Sequence, residues 1–212
     1  MEEKHKIFNL IILDESGSME SIKDATINGF NEVVQTVKGV EKQFPDQEHF
    51  ISLVTFNGLG IKTLLNNKPV VKLNEIDRKN YQPNSLTPLF DAMGISITQL
   101  KHHVQDMANY NVLVTILTDG EENNSKEYNG HTIKQMIDEL SMGNWTFTYI
   151  GANHDVVDFA LKISITNTMS YQANEADMKQ MFEREKNARV KYSRKIRDKE
   201  DFKSKFYDDE EV

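Results

Sequence analysis

Two apolar runs limit what this chain can fold into. They are Ile7–Leu13 (IFNLIIL) and Asn111–Leu117 (NVLVTIL). Neither alternates polar with apolar residues, so each reads as a strand covered on both faces, as in a parallel sheet held between two layers of helices. Each also stops abruptly at an acid followed closely by glycine. The first exits into Asp14-Glu15-Ser16-Gly17-Ser18 and the second into Thr118-Asp119-Gly120-Glu121-Glu122.

Behind the first exit, Ile22, Ala25, Phe30, Val33, Val34 and Val37 recur at helical spacing from about Ser21 to Val37. An acid and two hydroxyls therefore stand where a buried strand turns into a helix. Oxygen groups at alternate positions of a tight turn converge on one point, and Gly17 lets the backbone fold close to it. Hard oxygen donors of this kind suit Mg²⁺, Mn²⁺ or Ca²⁺ and disfavour Zn²⁺. The same residues also fit a helix start capped by Ser16 or Ser18, with an acid at the positive end of the dipole. The turn alone does not choose between these readings.

The rest of the chain alternates strand and helix. His49–Phe56 reads as a second strand, and Asn57-Gly58 as the start of a tight turn. Ile61–Leu65 reads as a short third strand, antiparallel and at the sheet edge, where Lys62, Lys68, Lys72 and Pro69 discourage further pairing. Gln82–Pro88 is a loop. Leu89, Met93, Ile97, Leu100 and Val104 then mark a helix, with Thr87 as its expected N-cap and Pro88 in its first turn. A helix over Thr132–Leu140, a strand over Thr146–Ile150, a short helix over Asp155–Leu161 and a strand over Ile163–Ser170 follow. From about Glu175 the chain reads as helical and increasingly charged. Met178, Met181 and Phe182 dock on the body, whereas Arg184–Lys205 mixes charges of both signs and reads as a solvated helix face. Asp208–Glu211 reads as a disordered, solubilising acidic tail. The expected division is a domain over 1–183 and a charged helical extension over 184–212.

This alternation predicts a doubly wound, mostly parallel α/β sheet, whose ligands bind at the carboxyl ends of the strands where strand order reverses. With the first run central and the Asn111 run beside it, Asp14 and Asp119 face each other across that crevice. Two carboxylates at one mouth repel unless a cation lies between them. The pairing favours the metal reading over the simple helix cap.

Several function classes are disfavoured by what the chain contains. A formal charge of −8 argues against general binding of nucleic acid or membrane surfaces. No apolar run approaches the roughly 20 residues needed to span a bilayer. Cysteine is absent, and the charged start runs straight into the first strand, which together suggest a cytoplasmic protein. The 6 histidines are scattered, with no spacing that suggests a triad or a zinc site. The alternative to a binding module is a Mg²⁺-dependent hydrolase or phosphotransfer enzyme using the same strand-end aspartates. Aspartate-nucleophile phosphatases, however, want a second acid two residues after the first, where Ser16 stands. Neither a P-loop nor Gly-x-Ser-x-Gly is present, and no base accompanies Ser16 or Ser18.

With these residues assembled, the chain resembles the von Willebrand factor A family, whose metal-ion-dependent adhesion site combines an Asp-x-Ser-x-Ser turn, a distant threonine and a distant aspartate. Asp14, Ser16 and Ser18 match the turn, Thr87 in Leu86-Thr87-Pro88-Leu89 the threonine, and Asp119 in Thr118-Asp119-Gly120 the aspartate. The likeness covers roughly Ile7–Met178 and is greatest to compact intracellular bacterial and phage members. It implies strand order 3-2-1-4-5-6 with one antiparallel edge. It also implies a Mg²⁺ ion, with Mn²⁺ or Ca²⁺ as alternatives. Ser16, Ser18 and either Thr87 or an aspartate would touch that ion directly, and the remaining groups would act partly through water. A coordination position left open would take an acidic side chain from a partner protein. In the family, engagement of the threonine can be coupled to movement of the last helix, which here would begin near Glu175. Glu15, beside the site, reads either as a rim residue that disfavours acidic surroundings or as simply solvated.

Overall fold

The computed structural model describes residues 4–207. Its sheet is built from β1 (His5–Asp14), β2 (Gln47–Asn57), β3 (Gly60–Pro69), β4 (Tyr110–Thr118), β5 (Trp145–Gly151) and β6 (Asn167–Ser170). Their spatial order is β3-β2-β1-β4-β5-β6, with β3 antiparallel to β2 and every other pair parallel. This is the expected architecture and strand order. From β1 the chain moves outward to β3, then crosses back to place β4 on the other side of β1. The reversal falls between β1 and β4, which opens a crevice at their carboxyl ends.

The unbroken apolar character of β1 follows from double coverage. Ile7, Ile11 and Leu13 pack with α1 (Lys23–Gln43) and α5 (Glu175–Asp198), among Phe30, Val33, Val37, Met178 and Phe182. Phe8, Leu10 and Ile12 point the other way, among Met93, Ile97, Ile133, Ile137 and Ala160 of α2 (Leu89–Val104), α3 (Gly130–Ser141) and α4 (Val156–Lys162). Successive strand side chains alternate in direction, so a strand between two cores needs apolar residues at both parities. On the first face α1 and α5 approach closely at Gly29, where a Cβ would lie 1.9 Å from the Phe182 ring.

β3 is longer than its apolar content predicts. Irregular register against Ile51–Val54 accommodates Asn67 in a left-handed conformation (φ 44°), and Ser52 Oγ accepts its N–H at 2.9 Å. β6 is shorter than expected, because Ile163 and Ile165 fill the core before the strand begins.

The solvated face expected from Arg184 onward is corrected. Position 184 lies inside α5, which runs unbroken over Glu175–Asp198. Glu185, Ala188, Arg189, Tyr192 and Ser193 are buried, as are Phe206 and Tyr207 beyond the helix. Arg189 pairs with Glu185 at 2.7 Å. Its remaining donors reach Asn9 Oδ1 on β1 and Thr115 Oγ1 on β4, each at 2.8 Å. The Tyr207 hydroxyl donates to the other Glu185 oxygen at 2.7 Å, and Gln47 Nε2 donates to the Ser193 carbonyl at 2.8 Å. The charges are thus buried as a mutually satisfied network. The acidic tail, 208–211, lies outside the described residues. Among those residues no helix is long and apolar enough to cross a membrane.

Candidate functional site

β1 delivers Asp14 fully buried at its last position. Oδ1 accepts the Ser16 N–H at 2.7 Å, which bends the chain back on itself straight after the strand. Oδ2 accepts the Thr118 hydroxyl at 2.6 Å. Thr118 is the last residue of β4, so this bond ties the two strand exits together. Thr118 Oγ1 also accepts the Gly120 N–H at 3.1 Å, fixing the turn that carries Asp119.

The structure brings all five expected residues to this mouth. Ser16 and Ser18 hydroxyls lie 3.2 Å apart, and Ser18 Oγ donates to Asp119 Oδ1 at 2.6 Å. A Cβ on Gly120 would lie 3.8 Å from Thr87 Oγ1 and 3.9 Å from Ser18 Oγ, so both hydroxyls border the residue next to Asp119. Asp14, Ser16, Thr87 and Asp119 are buried and Ser18 is exposed.

Charge at the mouth is frustrated. Burial pushes the Asp14 carboxyl up from 3.8 to about 6; hydrogen bonds from Thr118 and Ser16 oppose that rise, and the neighbouring Asp119 charge adds to it. Burial likewise raises Asp119, against the hydrogen bond from Ser18. Among the described residues neither acid is ion-paired with lysine or arginine. Nor, among those residues, do three or more His, Cys, Asp or Glu side chains gather as a metal site. The available donors are two carboxylates and three hydroxyls, an all-oxygen set that suits a hard divalent cation. His154, the histidine nearest the mouth, lies 2.6 Å through Nδ1 from the Ala152 carbonyl and 3.1 Å through Nε2 from the Tyr149 hydroxyl.

Two expectations about neighbouring side chains are corrected. Thr87 does not cap α2 through its side chain. Its N–H donates to Asn123 Oδ1 at 2.9 Å and its carbonyl accepts the Asn123 N–H at 3.1 Å. The first turn of α2 is satisfied instead by Glu122, which accepts the Phe90 N–H, and by Ser125, which accepts the Asp91 N–H. Thr87 Oγ1 is thereby left to face the mouth. Glu15 is neither solvated nor a rim residue. It is buried, with Oε1 accepting the Gln82 N–H at 2.6 Å and Oε2 lying 3.4 Å from Lys62 Nζ.

Sequence reasoning did not single out several residues that hold the site. Besides Thr118 these are Asn123, Asn153 and two buried tyrosines. Asn153, left-handed at φ 61°, donates from Nδ2 to the Asp119 carbonyl at 3.0 Å. The Tyr81 hydroxyl donates to the Asp14 carbonyl at 2.6 Å and the Tyr171 hydroxyl to the Thr118 carbonyl at 3.3 Å. The local signal was position alone: Thr118 and Asn153 are polar residues at strand exits.

The von Willebrand factor type A domain profile matches residues 10–194. The chain belongs to that family. No curated protein matches it by sequence. Among solved structures, it is similar to a von Willebrand factor type A protein from Catenulispora acidiphila (TM-score 0.58, 16% identity, covering 88% of this chain and 43% of that one). It also resembles the SpRpn10 VWA domain (TM-score 0.57, 10% identity, covering 84% and 94%). A third match is the manganese-loaded TRAP protein of Plasmodium vivax (TM-score 0.51, 16% identity, covering 85% and 73%). At these identities the likeness is one of fold. The chain spans under half the length of the Catenulispora protein. Von Willebrand factor type A domains are generally protein-interaction modules and are often metal-dependent.

Proposed function

We propose that this von Willebrand factor type A domain is a non-enzymatic protein-binding module. It would recognise an exposed Asp or Glu of a partner through a divalent ion held by Asp14, Ser16, Ser18, Thr87 and Asp119. The observation that carries this reading is a pair of buried carboxylates at one strand-exit crevice, both raised in pKa, bordered by three hydroxyls and ion-paired with no lysine or arginine among the described residues. Such an arrangement costs free energy when ionised and is relieved by a hard cation. Both Asp14 oxygens are already occupied by Ser16 and Thr118. Asp14 therefore suits contact through water, while Ser16, Ser18 and Thr87 suit direct contact.

Bound there, Mg²⁺ or Mn²⁺ would supply residual positive charge for an incoming carboxylate in a partly dehydrated interface. We assign no reaction to the site. Ser18 is bonded to a carboxylate and the nearest imidazole is engaged by Ala152 and Tyr149, so neither serine has a nucleophile–base pairing with a histidine. The all-oxygen donor set suits Mg²⁺, and the likeness of the Asp14–Met19 and Thr87–Ala92 stretches to compact intracellular members supports a cytoplasmic domain of the bacterial or phage type.

The test is capture of partners from native lysate in Mg²⁺, in EDTA, and with Asp119→Ala in Mg²⁺, alongside Mg²⁺ and Mn²⁺ titration by calorimetry. We expect ion binding and a set of partners present only for the wild type in metal. Partners captured equally in all three conditions would refute the metal-bridged reading. Turnover of phosphate or carboxylate esters that Asp119→Ala abolishes would favour the enzyme alternative.

A further inference from the structure

The flank of the mouth formed by the β2–β3 turn and the loop before α2 carries two of the exposed large hydrophobic side chains, Leu59 (75% exposed) and Leu86 (51%). Isolated exposed leucines are ordinary on a protein surface and imply nothing. What distinguishes these two is how they are held.

Leu86 immediately precedes the buried Thr87. On its other side Ser85 is in a left-handed conformation (φ 68°), with its carbonyl accepting the Gly17 N–H at 3.0 Å. The loop is also fastened through Asn84, whose N–H donates to the Glu15 carbonyl at 2.8 Å. Leu59 is positioned by Asn57, which accepts the Leu59 N–H on Oδ1 at 3.0 Å and donates from Nδ2 to the same Glu15 carbonyl at 3.3 Å. The two loops press together at Gly58, where a Cβ would lie 2.4 Å from Ser85 Oγ and 2.9 Å from the Leu86 nitrogen. Both leucines are thus tied to the Asp14–Ser18 turn itself, through residues 15 and 17. The backbone beneath both leucines is fixed to the turn at the mouth, so covering them requires no ordering of the loops and costs only the rotamer freedom of the two side chains.

The charge on this flank agrees. Lys62, at the start of β3, neutralises the buried Glu15 while keeping its side chain 52% exposed. The pair is neutral overall, so this flank does not repel an acidic segment. On the far side of the crevice Glu121 is exposed and close enough to influence Lys162 of α4, which makes that flank the unfavourable approach for an acid.

We propose that Leu59 and Leu86 form a specificity rim, and that the partner is a protein segment in which the ion-binding Asp or Glu stands next to an aliphatic or aromatic residue. This rests on the metal-bridged reading above and narrows it from any exposed acid to an acid with an apolar neighbour.

The probes are synthetic peptides Gly-Gly-X-Asp-X-Gly-Gly, with X as leucine or serine and with asparagine replacing aspartate as a control. They are titrated into the full chain in Mn²⁺ or in EDTA and followed by calorimetry or amide chemical shifts. The expected result is metal-dependent binding that needs the acid and is about tenfold tighter for leucine than for serine, the effect of partly burying such a side chain. The variant Leu59→Ser/Leu86→Ser should bind Mn²⁺ and the serine peptide as the wild type does while losing the preference for leucine. Metal- and acid-dependent binding with no leucine preference, or a preference that survives in the double variant, overturns the rim and leaves the metal reading standing. Binding indifferent to metal and acid, or no metal-dependent binding up to millimolar peptide, overturns both.

Discussion

Replacing Asp14 by asparagine should stabilise the metal-free protein while abolishing its response to metal. In the unfolded chain this carboxyl titrates near 3.8, and in the folded protein near 6. Between those values the folded state holds the proton that the unfolded state has released. Stability therefore falls as pH rises from about 4, and the loss is complete above the folded value. Every tenfold difference in proton affinity between the two states corresponds to about 1.4 kcal/mol, so the metal-free protein carries a burden of about 3 kcal/mol at pH 7.5.

Asparagine removes that burden without orphaning its neighbours. Its Oδ1 can still accept the Ser16 N–H. Its Nδ2 can donate to Thr118 Oγ1, whose own hydrogen then turns to the Gly120 carbonyl, already 3.0 Å away. In EDTA at pH 7.5, Asp14→Asn should gain about 2–3 kcal/mol in urea unfolding, or roughly 5–10 °C in Tm for a chain of this size. Near pH 4, where the wild-type carboxyl is mostly protonated, the gain should shrink towards zero. Saturating Mg²⁺ should raise the wild type and leave the variant unmoved, since only a folded state that binds the ion is stabilised by it. If the variant is destabilised in EDTA by the same amount at both pH values, the idea of electrostatic frustration at Asp14 is wrong.

Thr118→Val should keep the fold but weaken Mn²⁺ binding by roughly 10–100-fold in calorimetry, because the link between Asp14 and the Gly120 turn is lost. Thr118→Ser should restore most of it. Arg189→Met strands Glu185 in the interior and should cost about 3–5 kcal/mol in urea unfolding, whereas the double change Glu185→Met/Arg189→Met should recover much of that loss. A chain ending at residue 183 should lose cooperative thermal unfolding relative to the full chain, because it lacks Ala188, Tyr192, Phe206 and Tyr207 from the core facing α1; an unchanged Tm would make 184–212 a true appendage.

The fold was legible because coverage on both faces leaves an unmistakable imprint. β1 and β4 read as continuous apolar runs, and their abrupt ends located Asp14 and Asp119 before any contact was known. The three hydroxyl residues were legible only as a set with those acids, since Ser16 and Thr87 sit in loops and Ser18 in a short 3-10 helix (Gly17–Ile22) whose path local sequence does not dictate. Thr87 shows the limit. Its place before Pro88 suggested a helix cap, yet Asn123 and Glu122, more than thirty residues away, take over the backbone there and free the hydroxyl. Tyr81 and Tyr171 were invisible for the same reason: a buried hydroxyl bonded to a distant carbonyl leaves no periodic signal. The C-terminal half of α5 was misread by a general rule that fails here. Mixed charges usually mark a solvated face, but Glu185 and Arg189 neutralise each other, and Asn9 and Thr115 satisfy the remaining guanidinium donors from within two otherwise apolar strands.

That buried network bears on how the mouth would respond to a ligand. A shift of α5 along α1 would separate Arg189 from Asn9 and Thr115, pull the Ser193 carbonyl from Gln47, and move Phe182 out of the space that Gly29 leaves open. The Glu185–Arg189 pair would travel with the helix, but the two hydrogen bonds from the guanidinium to Asn9 and Thr115 would be lost, at about 1.5–3 kcal/mol each. Coupling between a ligand and a distant element is typically about 1–3 kcal/mol. The α5 movement implied by the family resemblance is thus opposed by more free energy than an ordinary coupling supplies. The rearrangements that cost least lie in the loops: the Ser18 hydroxyl leaving Asp119 for an ion, and Thr87 Oγ1 turning to meet it. Backbone amide shifts on adding Mg²⁺ should accordingly concentrate at 14–20, 84–88 and 118–123. Shifts of equal size along 185–196 would show that the network yields and that the last helix takes part.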